Sequence, residues 1–128
     1  RRIEMKFTNQ KIENMQNVLT AIGNKEINNP VLALKIARNN YNLTQALNPI
    51  LKVKNDILRK YGEKDEKGKI VMNEEGIIRI TDVPKYNAEI TTLMNAETDV
   101  NIECFSEEDF DKMSATPNQL MTLLEIAK

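Results

Sequence analysis

Thr8 stands just ahead of Ile12, Met15, Leu19 and Ile22, four apolar residues spaced by three and four. That period puts them on one helical face, and a threonine hydroxyl is suited to accept an unpaired N–H of the first turn. A helix is therefore expected from Thr8, with Gly23 as its left-handed stop. Asn29-Pro30 reads as the N-cap and N1 proline of a second helix. From there Leu34, Ala37, Tyr41, Ile50, Ile57 and Tyr61 keep the apolar character running. Leu32, Ile36, Leu43 and Leu47 widen the stripe, so this helix is expected to pack on more than one neighbour. Pro49 lies inside it, lacks an N–H and crowds the preceding turn, which predicts a kink or two helices over 30–47 and 50–61. Gly62 closes the run.

The period then changes. Lys69 to Met72 and Ile77 to Thr81 are β-prone and joined by Asn73-Glu74-Glu75-Gly76, the pattern of a short β-hairpin. Asp82 with Pro84 opens another helix, whose face is Tyr86, Ile90, Leu93 and Met94. In "TDVNIECF", Val100, Ile102 and Cys104 alternate with Asn101 and Glu103, which predicts a half-buried strand, a candidate third strand beside the hairpin. Ser106 and Asp109 have capping-box spacing at the head of a short helix to Met113. Thr116-Pro117 starts a last helix carrying Leu120, Leu123, Leu124 and Ala127. No internal repeat, low-complexity tract or long linker stands out. The expected architecture is α+β, mainly α: a long, Pro-kinked or broken helix and a return helix joined by a β-hairpin, with N- and C-terminal helices packed on them.

Composition narrows the class. A chain of 128 residues with 41% apolar and 29% charged residues is one domain able to bury a core without metals or disulfides. One Cys and no His exclude an internal disulfide, a Ser-His or Cys-His nucleophile pair and a His-ligated metal. No apolar run approaches a membrane span, so a cytoplasmic protein without membrane contact is expected. Asn (16 residues), Lys and Ile are abundant and share A/T-rich codons, which points to an AT-rich bacterial or phage gene. Arg1-Arg2 can be encoded AGG-AGG, a ribosome-binding sequence, and Ile3-Glu4 sets it at the spacing that initiation from Met5 favours. Residues 1–4 are thus expected to be a translated leader, and residues 5–128 a single globular domain.

Net charge is −1, but residues 1–60 sum to +7 and residues 61–128 to −8. The plainest consequence is that the two halves fold onto each other. The acidic stretch holds Glu97, Asp99, Glu103, Glu107, Glu108, Asp109 and Asp111 with no Lys or Arg between them, and is the candidate surface for a basic partner. Its bland reading is a solvated edge with first-turn acids suited to a helix dipole. The candidate basic face is Lys35, Arg38, Lys52 and Arg59 on the long helix, without the aromatic set that single-stranded nucleic acid needs. "GEKDEKGKI" fails as a P-loop, with five residues between its glycines and Ile70 where Ser/Thr must hold magnesium. Cys104 is expected to be a buried structural thiol, and Phe105 and Phe110 are expected to tuck into the core.

The segments "ALKIARNNYNLTQAL", "ILRKYGEKDEKGK", "YNAEITTLMNAETDVNIE" and "SEEDFDKM", the last followed by "TPNQLMTLLEI", resemble small phage and prophage proteins of unknown function. The similarity spans nearly all of Met5 to Lys128. It implies a phage or prophage origin and carries no catalytic residue or cofactor across. Three functions follow as expectations. The first is a non-enzymatic accessory protein acting through protein contacts, with itself or a virion protein. The second is an inhibitor of a host protein, such as a defence nuclease, through the acidic surface. A nucleic-acid-binding regulator using the basic face ranks third.

Overall fold

The computed structural model describes residues 2–127. In chain order its elements are β1 (Arg2–Thr8), α1 (Asn9–Gly23), α2 (Pro30–Tyr61), α3 (Val83–Asn95), β2 (Glu97–Glu103), α4 (Glu107–Met113) and α5 (Pro117–Leu123), then a 3-10 turn, Leu124–Ile126. The class is α+β, mainly α, as the periodicity implies. α2, with 32 residues, is the spine, and at about 1.5 Å per residue it is several times longer than a short helix such as α4.

The expected helix starts form. Thr8 Oγ1 accepts the Lys11 N–H at 3.2 Å, and Asn29 Oδ1 accepts those of Val31 and Leu32 at 3.0 and 3.1 Å. Asp82 caps α3, while Ser106 with Asp109 and Thr116 with Gln119 make reciprocal capping boxes. Helix ends follow expectation only in part. Gly23 stays inside α1, and Asn24 ends that helix in a right-handed conformation at φ −80°. α2 runs unbroken through Pro49. Gln45 and Pro49 are both exposed, so water can serve the carbonyl that the proline leaves without a donor. Gly62 closes α2 as expected, turning to extended backbone at φ −70° and ψ 144°, where a Cβ would sit 2.8 Å from Ile78 Cγ2 and 2.9 Å from the Leu58 carbonyl.

Between Gly62 and Asp82 the expected hairpin is replaced by three isolated bridges, Gly62 to Ile80, Lys64 to Ile70 and Met72 to Ile78. No ladder grows because the chain turns twice in quick succession. Asp65 Oδ1 accepts the N–H groups of Lys67 and Lys69, and Gly68 takes φ +80°. Asn73 Oδ1 accepts those of Glu75 and Ile77, and Gly76 takes φ +77°. The same turn is built twice, from Asp-x-x-Gly and Asn-x-x-Gly.

β2 does not lie beside that loop. It pairs antiparallel with β1, in register from Arg2 opposite Glu103 to Thr8 opposite Glu97. No strand is expected at the N-terminus from periodicity alone. Arg2 to Glu4, three of the four residues assigned to a leader, pair with Asn101 to Glu103; Arg1 lies outside the described residues. The core gathers Phe7, Ile12, Met15, Leu19 and Ile22 against Leu32, Ile36, Leu43 and Leu47, with Val100, Ile102 and Phe105 from the other side. Phe110 packs against it. Leu34 and Tyr41, counted in the apolar stripe of α2, are 52% and 64% exposed. The last helix is shorter than expected: past Leu123 the backbone tightens to the 3-10 turn, which buries Ile126 and leaves Leu124 63% exposed.

Candidate functional site

The structure brings half of the basic face to part of the acidic stretch. Lys35, Arg38, Asn39 and Asn42 recur at three and four along α2 and so share one flank. That flank lies along β2. Asn39, fully buried, donates from Nδ2 to the Glu103 carbonyl at 2.8 Å and accepts the Glu103 N–H on Oδ1 at 2.9 Å. Its side-chain amide thus binds the strand as a neighbouring backbone would. Asn42 Nδ2 donates to the Asn101 carbonyl at 3.1 Å, and Lys35 Nζ to the Cys104 carbonyl at 3.3 Å. Three side chains of a helix close one edge of the sheet, where an unpaired strand would otherwise invite association.

The charges follow the same seam. Arg38 meets Glu103 in a two-pronged bond, Nε to Oε2 at 2.7 Å and Nη2 to Oε1 at 2.9 Å. The hydrogen-bonded Arg38 guanidinium holds the Glu103 carboxyl below the usual carboxylate range, against the opposing effect of burial. Lys35 Nζ lies 2.7 Å from Asp109 Oδ2, which also accepts the Ser106 N–H at 3.0 Å. Burial pushes the Asp109 carboxyl up, but the Lys35 ammonium and Ser106 together outweigh it and leave it below its ordinary value. Asp109 therefore caps α4 and anchors it to α2 at once.

The other predicted residues are placed differently. Glu97, Asp99, Glu107 and Asp111 are exposed, with no ion pair among the described residues, while Glu108 pairs with Lys112 inside α4 at 2.9 Å. Lys52 and Arg59 are exposed and likewise without an ion pair among the described residues. Cys104 falls just past the end of β2 and is half-buried, not buried as expected, because the strand pairing stops at Glu103.

A different surface emerges farther along α2. Lys54 still reaches Glu13 of α1 at 3.4 Å, but beyond it the neighbours of α2 are α3 and the 62–82 loop. Lys60 pairs with Glu89 at 3.3 Å, and the Tyr61 and Tyr86 rings meet edge to face at 6.5 Å. Two open grooves flank this helix pair. Val53 and Ile57 line one with Ala88, Thr92 and Leu93; Leu51 and Leu58 line the other with Asn55 and Tyr86. Leu51 is 41% exposed and Val53 45%. The width of the α2 stripe announced this surface in general terms; its location depended on where β2 and α1 end.

Among the described residues no cluster of three or more His, Cys, Asp or Glu side chains is arranged to hold a metal ion. No described helix is long and apolar enough to cross a membrane. Compared with protein-family models, curated proteins and solved structures, the chain matches none of them.

Proposed function

We propose that this protein is a non-enzymatic accessory protein of phage or prophage origin that works through protein contacts in virion assembly, using the distal part of α2 as its contact surface. The observation that carries the reading is the exposure of Leu51 and Val53 on opposite flanks of one helix, each lining an open groove beside α3. A wide apolar stripe covered by a single return helix leaves area that a partner helix or loop can remove from water. The A/T-rich codon usage implied by Asn, Lys and Ile supports the origin.

Affinity capture from phage-producing cells tests it. Virion proteins should come down with the chain and be lost with the L51K/V53K variant, while circular dichroism stays unchanged. Recovery of virion proteins with both forms would reject this contact surface.

A second reading rests on a separate observation, the exposed acids Glu97, Asp99, Glu107 and Asp111 without internal ion pairs among the described residues. Under it the chain inhibits a basic host protein, such as a defence nuclease. Capture of one basic host enzyme, lost with E107K/D111K and retained with L51K/V53K, would establish this reading in place of the first.

A further inference from the structure

The sheet has two edges, and they are not alike. The outer edge of β2 is closed by Asn39, Asn42 and Lys35 of α2. β1 is the other edge, and among the described residues no hydrogen bond reaches Arg2 to Phe7 from outside the sheet. Alternate residues of a strand direct their N–H and C=O groups to opposite edges. Asn101 and Glu103 use theirs on α2, so Thr98, Val100 and Ile102 direct theirs to Phe7, Met5 and Ile3. Arg2, Glu4 and Lys6 are left with N–H and C=O groups aimed outward, and Thr8 with its N–H, since its carbonyl accepts the first bond of α1.

We propose that β1 pairs antiparallel with β1 of a second copy about a two-fold axis at Met5, making a continuous four-stranded sheet. Outward-aimed residues must face outward-aimed residues across the new ladder, which limits the symmetric registers. An axis at Glu4 sets Glu4 against Glu4 and Arg2 against Lys6; an axis at Lys6 sets Lys6 against Lys6. Both place like charges opposite, which opposes pairing. An axis at Ile3 leaves most of the strand unused. The axis at Met5 pairs all seven residues of β1 and sets Glu4 against Lys6 on both sides of the axis. On the opposite face it sets Ile3 against Phe7, giving cover to an isoleucine that is 46% exposed in the single chain. The pairing uses no residue of the α2 grooves and stands or falls separately from the proposed function.

The test combines charge reversal with a cross-link. Sedimentation should give twice the chain mass for the unaltered protein, and K6E should weaken association by roughly tenfold as two attractive pairs become repulsive. E4K/K6E should restore it, because the reversed pair is again complementary in this register; a variant that merely damaged β1 would not recover. The Met5 residues form a non-hydrogen-bonded pair, whose Cα spacing of about 4.5 Å suits a disulfide. M5C in a C104S background should therefore oxidise to a covalent dimer. A monomer across the concentration series overturns the proposal. So does a dimer that is indifferent to K6E and leaves M5C uncross-linked.

Discussion

The two halves of α2 carry the same apolar period and fare differently. On the inward face of the first half, Leu43 is fully shielded and even the polar Asn39 is wholly buried, although Leu34 and Tyr41 of that half face water; in the second, Leu51 and Val53 line open grooves beside α3. Helix propensity and hydrophobicity do not separate them. Neighbours do: α1 and β2 hold the first half from both flanks, while α3 and a loop of isolated bridges hold the second. An asparagine can be more buried than a leucine on the same helix when its amide has a strand's N–H and C=O to satisfy it. The first half builds the fold, and the second carries the grooves that the proposed function assigns to a partner.

Mutations in the two halves should therefore differ in kind. Leu43→Ala should cost about 4 kcal/mol, since a fully enclosed leucine leaves a cavity that cannot collapse, whereas Ile57→Ala should cost about 2 kcal/mol. Urea unfolding of both variants measures the contrast, and equal losses would erase it. Asn39→Ala comes next, at about 2 kcal/mol, because it strands two buried backbone groups of Glu103.

Acid should loosen the first half selectively. Glu103 and Asp109 both sit below the ordinary carboxylate range when folded, so the unfolded chain takes up protons first. Their contribution is complete above the unfolded values, from about pH 5 upward, and is lost as pH falls through the lower folded values. E103Q/D109N should give a flatter stability profile below about pH 4 than the unaltered chain, by denaturant titration at several pH values. The smallest effect on stability belongs to L51K/V53K, within about 0.5 kcal/mol, although it should abolish partner capture.

Helix starts were legible because caps are local: Thr8, Asn29, Asp82, Ser106 and Thr116 each act within three residues. The opposite charges of the two halves announced that they would meet. They did not say that Glu103 and Asp109 would be consumed while Glu107 and Asp111 faced water, because that depends on which flank of α2 lies along β2. β1 was harder to read. Ile3, Met5 and Phe7 do alternate with Arg2, Glu4 and Lys6, but one short alternating run does not identify a partner strand at Glu97–Glu103. Gly62 to Asp82 carried true turn signals, visible as Asp65 to Gly68 and Asn73 to Gly76. Turns so close together leave too few residues between them for a ladder.

Hydrogen exchange along α2 in the isolated chain tests the central contrast most directly. Amides around Leu43 should exchange only through global unfolding, and those from Asn55 to Tyr61 roughly tenfold faster or more through local opening. Addition of the captured partner should then slow the second group alone. Uniform protection from Pro30 to Tyr61 in the free chain would contradict the account.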